Sequence, residues 1–146
     1  MPRPDRSFPA HAALVRAVFA SLAEGDIAVL RSAMADDVQW HIPGTHRWSG
    51  TWTPRQAVLA HLLAHFAAQF REPPCWVMDT LADGGERVVV RARCIGVTLA
   101  GQRYDNSTCF LIGISRGRID EIVEYGDSAL RAALLQGPAF VPYAPG

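Results

Sequence analysis

The sequence contains no lysine, because all 14 of its basic residues are arginine, and 14 acidic residues bring the formal net charge to zero. With no excess of positive charge and no basic stripe, nothing in it favours a nucleic-acid partner. An arginine-only composition fits a GC-rich bacterial genome. A net charge near zero also does little to oppose self-association.

The chain also lacks a long apolar segment. No run approaches the roughly 18 residues that a membrane span needs. The polar start, Met-Pro-Arg-Pro-Asp-Arg, leads into no apolar core of a signal peptide. We therefore expect a cytoplasmic protein with no membrane partner.

Cysteine is scarce and shows no metal-ligand spacing. Because the three residues Cys75, Cys94 and Cys109 cannot all pair within the chain, we predict buried thiols in a reducing compartment. His61 and His65 lie four residues apart, a spacing that can hold a metal on a helix. No third ligand is identifiable, so we predict no metal site and no cofactor.

What remains is an ordinary globular composition, 49% hydrophobic and 19% charged. The 146 residues fit one domain over 1–146, with a core over about 8–136 and a Pro-rich tail over 137–146. No internal repeat or low-complexity linker divides it.

Helical spacing of apolar residues predicts three helices in the first half. Ser7 and Pro9 are suited to begin the first helix, and Glu24-Gly25-Asp26 is suited to end it and to begin the second. The second helix carries Ile27, Leu30 and Met34 on one face and ends at Asp36-Asp37. The third and longest opens at Thr53-Pro54 and ends before Pro73-Pro74. Its apolar stripe is Val58, Leu62, Phe66 and Phe70.

A β pattern dominates the second half. Alternation first predicts a strand over 38–42, followed by a polar loop over 45–51. Further strands are predicted near 75–82, 86–98, 102–115 and 118–126, with glycine-containing turns between them. Asp127 is suited to cap a last helix over roughly 128–135. This order predicts an α+β fold in which a curved antiparallel sheet packs on the N-terminal helices around a concave space.

Three segments resemble the nuclear-transport-factor-2-like superfamily: LAEGDIAVLRSAMADDVQW, IPGTHRWSGTWTPRQAVLAHL and GISRGRIDEIVEYGD. Their order and spacing are similar to those of SnoaL-like and ketosteroid-isomerase-like proteins. The resemblance implies a cone-shaped, cystatin-like roll with a central pocket, and a homodimer. Because the superfamily contains unrelated enzymes and non-enzymatic members, it does not settle function.

The ketosteroid isomerase mechanism fails residue by residue. The resemblance aligns that family's catalytic base with Ile42, its oxyanion-hole tyrosine with Val18 and its protonated aspartate with Cys109. None of these side chains can perform the required proton chemistry.

Limonene epoxide hydrolase matches in part. Its arginine aligns with Arg91 and its two aspartates with Arg93 and Glu124. Its water-holding residues align with Trp40 and Ile42. Arg91 and Glu124 therefore match the arginine and one aspartate of that family, whereas Arg93 replaces the second aspartate and the residues that hold the water are absent.

Arg91, Arg93 and Glu124 are the main catalytic candidates. Arg91, Arg93 and Ile95 share one strand face, which the resemblance turns toward the cavity. We expect Glu124 to carry a proton, Arg91 to orient it and Arg93 to stabilise negative charge. The alternative is that both arginines face solvent or a subunit contact.

His41 is a further catalytic candidate, because histidine titrates near neutral pH. Alternation places it opposite Trp40 and Ile42, which the resemblance places inside the pocket. His46, Trp48 and Trp52 lie near the pocket mouth and suit apolar packing. The predicted ligand-contacting set, equally compatible with plain core, is Trp40, Ile42, Leu62, Phe66, Ile95, Asn106 and Thr108.

Three functions remain open. The first is a cofactor-independent acid–base enzyme of the SnoaL-like group, an isomerase, cyclase, dehydratase or hydrolase acting on a small hydrophobic substrate. The second is a non-catalytic ligand-binding module. The third is a dimerisation domain in which the outer sheet face forms the contact.

Overall fold

The computed structural model describes residues 7–137, and side chains from residue 10 onward. The proposed cap and proline of the first helix, Ser7 and Pro9, thus lie outside the described side chains, and the tail over 138–146 lies outside the described residues. The elements are α1 (Ser7–Leu22), α2 (Ala28–Ala33), β1 (Met34–Ile42), β2 (Gly50–Trp52), α3 (Arg55–Ala57), a π-helical segment (Val58–Leu63), α4 (Ala64–Ala67), β3 (Cys75–Asp83), β4 (Arg87–Val97), β5 (Arg103–Ser115), β6 (Arg118–Tyr125) and α5 (Ser128–Leu134). We call α3, the π-helical segment and α4 together the central helix.

The strands form one sheet of six, in the order β2-β1-β6-β5-β4-β3. Only the β1–β6 pair is parallel among the pairings described. Shifts of register in the β1–β6, β3–β4 and β5–β6 pairs mark irregularities of the kind that bend strands. The α+β architecture with a curved sheet is therefore confirmed.

The hydrophobic core lies between the sheet and the helices. On β4, buried Val88, Val90, Ala92 and Cys94 alternate with residues that face outward. The predicted apolar stripe Val58, Leu62, Phe66 and Phe70 is buried at every position, although Phe70 lies beyond the end of the central helix and forms a β-bridge with Thr98. α1 and the central helix thus cover the inner face of the sheet, which we define as the face carrying these β4 residues.

Several local predictions are confirmed. The last four strands begin and end within a few residues of the predicted bounds. Gly25 has φ +74°, the left-handed conformation expected after a helix. The Asp127 carboxylate accepts a hydrogen bond from the Leu130 N–H at 3.1 Å and so caps α5.

Four boundaries predicted in the first half are wrong. The longest helix ends at Ala67 and does not continue to Pro73-Pro74, because Phe70 pairs with Thr98. Met34 begins β1 instead of ending α2, since it pairs with Ile119 of β6 and is fully buried. The predicted loop over 45–51 overlaps β2, which pairs with β1. Pro54 occupies the cap position with extended backbone, so the helix begins one residue later, at Arg55. Tertiary strand pairing outweighs local helical periodicity at Met34.

Candidate active site at the Glu124–Arg131 ion pair

Two neighbouring cavities lie between the inner face of the sheet and the helices. The apolar chamber, about 70 Å³, is enclosed by α1, the central helix and the sheet. The polar chamber, about 400 Å³, lies beside the loop after β1 and the start of α5. Trp76, Glu124 and Arg131 line both chambers and form their common wall.

Glu124 lies in the common wall because the side chains of β6 point alternately to the inner and outer faces of the sheet. Ile122 and Glu124 are buried on the inner face, two residues apart. The strand ends at Tyr125, Asp127 caps α5, and the last turn of this short helix carries Arg131, which lies over the strand end. Arg131 Nη1 donates a hydrogen bond to Glu124 Oε2, and the two side chains are only 10% and 4% exposed.

Aromatic rings surround the Arg131 guanidinium. Its central carbon lies 4.3 Å from the ring centre of Trp48 and 4.9 Å from that of Phe66. Contacts of this kind stabilise a desolvated cation. Its Nε is also buried, and no described residue accepts a hydrogen bond from it. The ion pair is therefore held firmly while one donor stays available.

A second network fixes the floor of the polar chamber. Asn106 Oδ1 accepts a hydrogen bond from the Asp127 N–H at 2.9 Å. Its Nδ2 donates to the Asp127 carbonyl at 3.1 Å and to the Tyr104 hydroxyl at 2.8 Å. Asn106 therefore ties β5 to the start of α5 and orients Tyr104. Burial raises the pKa of Tyr104 to about 12, so its hydroxyl stays protonated at neutral pH.

His46 contributes a neutral imidazole to the polar chamber. Burial, and then the positive charge of Arg131, lower its pKa from the usual 6.5. Its Nδ1 accepts a hydrogen bond from the Trp48 N–H at 3.2 Å, which places the ring proton on Nε2.

The expectation that Arg91 and Arg93 face the cavity is wrong. Both lie on the outer face of the sheet, with side chains 63% and 47% exposed. Arg91 donates to Asp79 at 2.8 Å and Arg93 binds Asp105. These arginines hold the pKa of each aspartate below its usual value. The outward-facing residues of β4 therefore include Arg91 and Arg93, and neither arginine contacts Glu124.

Two other predicted site residues also lie outside the chambers. His41 is exposed, and its Nδ1 bonds Thr51 Oγ1 at 2.6 Å across the β1–β2 pair. It points away from Trp40, as strand alternation requires. Ile95 shares the outer face with Arg91 and Arg93 and is half-buried.

The remaining predicted ligand-contacting residues do line the cavity. Trp40, Leu62 and Phe66 line the apolar chamber. Ile42, Asn106 and Thr108 line the polar chamber.

Sequence reasoning missed Arg131. It is the lone charged residue in the apolar segment SALRAAL of α5, and this was a usable signal because unpaired charges are rarely buried. Trp48, expected to pack, is fully buried and also lies against the guanidinium.

The cysteines and histidines form no second site in the described part of the chain. Cys94 is buried, which raises the pKa of its thiol, whereas Cys75 and Cys109 are only half-buried. Within residues 7–137 no group of three or more possible ligands is placed to hold a metal ion. No helix in that range is both long and apolar enough to cross a bilayer.

The arrangement provides an acid–base group beside hydrogen-bond donors. Glu124 Oε2 is held by Arg131, and no described residue donates to Oε1. Oε1 is therefore the atom open to a bound molecule. Tyr104 and Arg131 line the same polar chamber, and the Tyr104 hydroxyl and the Arg131 Nε are its hydrogen-bond donors.

Known proteins share this sequence pattern and fold. The chain is 32% identical over 117 residues to uncharacterized protein Rv0034 of Mycobacterium tuberculosis, covering 80% of this chain and 88% of that one. Bal32a, from a soil-derived mobile gene cassette, superposes with TM-score 0.79 at 21% identity, covering 90% of this chain and 100% of that chain. A Xanthomonas campestris protein with a cystatin-like fold superposes with TM-score 0.75 at 23% sequence identity, covering 86% of this chain and 98% of that chain. The family model for the SnoaL-like domain matches residues 15–122, and the chain belongs to this family.

Proposed function

We propose that the protein binds a small, largely apolar molecule across the two chambers and transfers a proton on it without a cofactor. One observation carries the proposal: the Glu124 carboxylate, 4% exposed, lies in the common wall of an apolar and a polar cavity with one oxygen held by Arg131. A polar cavity of about 400 Å³ falls in the range of small-molecule sites, roughly 300–1,000 Å³.

Glu124 acts as the proton acceptor. Its Oε1 takes a proton from a carbon beside a carbonyl group, and the electron pair of that C–H bond moves to the carbonyl oxygen as an enolate. Return of the proton to another atom completes an isomerisation. Attack of the enolate carbon on a second carbonyl carbon of the same molecule breaks that C=O π bond, and return of the proton from Glu124 to the resulting alkoxide completes a cyclisation. General-base catalysis of this kind contributes roughly 10²–10⁴-fold in rate.

Arg131 replaces Arg91 and Arg93 in the proposed mechanism. It orients the carboxylate by the Nη1–Oε2 hydrogen bond, and its positive charge lies beside the developing enolate. Since its guanidinium is enclosed by Trp48 and Phe66, little reorganisation is needed during the reaction.

Proton exchange on a simple ketone tests the proposal. We expect the protein to accelerate exchange of the α-hydrogens of α-tetralone in D₂O, followed by ¹H NMR, and Glu124→Gln to abolish the acceleration. Glu121→Gln is the matched control, because Glu121 lies on the same strand but pairs with Arg87 at the surface. Equal exchange in the Glu124→Gln variant would exclude Glu124 as the base.

A non-catalytic binding module is the second candidate. Two observations favour it. Glu124 is already engaged by a cation, Arg131. The positions aligned with the ketosteroid isomerase base and oxyanion-hole groups are Ile42, Val18 and Cys109. Saturable binding of α-tetralone with no exchange above background would support this candidate over the enzyme.

A further inference from the structure

We propose that the polar chamber binds a neutral carbonyl oxygen, which accepts hydrogen bonds from the Tyr104 hydroxyl and from Arg131 Nε. This inference rests on the proposed function, and it names the group through which the small molecule is held.

Tyr104 is the first donor. Its ring is enclosed by Phe66 and Phe70, with ring centres 6.2 and 5.4 Å away, and only 1% of the residue is exposed. Asn106 donates to its hydroxyl oxygen, so the hydroxyl accepts in that bond. Its own proton finds no acceptor among the described residues. Because Tyr104 lines the polar chamber, that proton is available to a ligand there.

Asn106 fixes the direction in which the Tyr104 hydroxyl can donate its hydrogen bond. Its amide is fixed at both ends, since Oδ1 accepts from the Asp127 N–H and Nδ2 donates to the Asp127 carbonyl. The amide cannot flip to offer its oxygen to Tyr104 without losing both bonds. The hydroxyl therefore remains an acceptor toward Asn106 and a donor toward the chamber.

Arg131 Nε is the second donor. Its side chain is nine-tenths buried, it lines both chambers, and its Nε has no acceptor among the described residues. A buried donor without a partner is costly, so an oxygen that fills this position gains binding energy. Trp40, Trp48 and Trp52 also have buried N–H groups without acceptors among the described residues. Trp40 lines the apolar chamber and not the polar one, and Trp48 and Trp52 line neither, so Arg131 Nε is the unpaired donor that belongs to a residue of the polar chamber.

The charge of the site selects a neutral oxygen over an anion. The positive charge of Arg131 is already neutralised by Glu124, which lies in the same wall. A ligand carboxylate bound at Nε would face that carboxylate across one guanidinium group and be repelled. A carbonyl oxygen accepts the same hydrogen bonds without this repulsion.

The placement also fits proton removal by Glu124. A carbonyl oxygen at Nε and a neighbouring C–H bond facing Oε1 would both lie in the polar chamber, which Glu124 and Arg131 line together. The ring or chain attached to the carbonyl would then extend into the apolar chamber past Trp40. Both hydrogen bonds strengthen as negative charge grows on the oxygen.

Isosteric probes of two sizes test the inference. Acetophenone and α-methylstyrene differ only in C=O against C=CH₂, as do 2-acetonaphthone and 2-isopropenylnaphthalene. Affinities are measured by equilibrium dialysis for the wild type, Tyr104→Phe and the control Thr51→Val, which removes a hydroxyl from β2 outside both chambers. Benzoate distinguishes an anion site from a carbonyl site.

We expect the wild type to prefer each ketone over its alkene by roughly tenfold. Tyr104→Phe should reduce that preference several-fold and leave alkene affinity unchanged, and Thr51→Val should behave as wild type. An unchanged ketone preference in Tyr104→Phe, or tighter binding of benzoate than of acetophenone, overturns the inference while the proposed function stands. Failure of the wild type to bind any ketone or alkene probe overturns both.

A spectroscopic measurement keeps the inference testable if Tyr104→Phe folds poorly. The ¹³C resonance of carbonyl-labelled acetophenone moves downfield when its oxygen accepts hydrogen bonds. We expect the signal in the wild-type complex to lie downfield of the signal in cyclohexane. A bound signal at the cyclohexane position would show that the oxygen accepts no hydrogen bond and would refute the carbonyl site.

Discussion

Arg131, in the last helix, donates a hydrogen bond through Nη1 to Oε2 of Glu124, on the last strand. The two residues are seven apart in sequence, and both are buried. A buried pair of opposite charges is held by mutual attraction, but each member is costly if the other is removed. The pair therefore couples the stability of the fold to the proposed chemistry.

Arg131→Met should destabilise the protein strongly. The substitution leaves Glu124 buried without its cation, and we expect the free energy of unfolding to fall by about 3–5 kcal/mol, measured by urea denaturation. Arg91→Met is the matched control, because the Arg91–Asp79 pair is exposed and screened by solvent and should contribute much less to stability.

Removing both charges should recover much of that loss. In Glu124→Leu/Arg131→Met no buried charge remains unpaired, so the double variant should be more stable than Arg131→Met alone. A double variant less stable than Arg131→Met would contradict the coupling of the two side chains.

Asn106→Ala should loosen the attachment of α5 to β5. Three hydrogen bonds, two to Asp127 and one to Tyr104, would be lost, at about 1 kcal/mol each. Hydrogen exchange of the α5 amides should accelerate, whereas Ser107→Ala, on the exposed face of the same strand, should leave it unchanged. Unaltered α5 exchange in Asn106→Ala would show that the helix is held by other contacts.

His46 should make stability depend on pH below neutrality. Burial and Arg131 lower its pKa in the folded protein, so the unfolded chain, which protonates near 6.5, binds more protons between the two values. The free energy of unfolding should therefore fall as the pH drops through 6.5 toward the folded pKa. Urea denaturation at about pH 7.5 and about pH 5 should show a smaller fall in His46→Gln than in the wild type. A ring ¹H titration placing His46 above 6.5 would contradict the assignment.

The expected homodimer stays a prediction. The outer face of the sheet carries exposed Val77 and Val97, 45% and 43% exposed, beside half-buried Ile95. If this face forms the contact, Val77→Asp should shift a dimer toward monomer in analytical ultracentrifugation, because burying an unpaired charge is unfavourable. Asp36→Asn, at an exposed position on β1, is the control. A monomeric wild type at micromolar concentration would refute the homodimer.

Sequence periodicity determined the architecture of the second half. The strands of the β3–β6 meander and the Asp127 cap depend on alternation, glycine turns and one side-chain hydrogen bond, all of which are local in the chain. β2 was missed because three residues carry too little pattern, and its pairing with β1 exists only in the folded sheet.

Alternation also predicted that Arg91, Arg93 and Ile95 share a face, which is correct, but it could not say which face is inside. That choice depends on which set of side chains meets α1 and the central helix, and burying Val88, Val90, Ala92 and Cys94 leaves the arginines outward. By itself the sequence determined the fold class, the strands of the meander and the candidacy of Glu124. Only the tertiary structure decided that its partner is Arg131, because the turn from β6 into α5 brings together two charges that no periodic pattern relates.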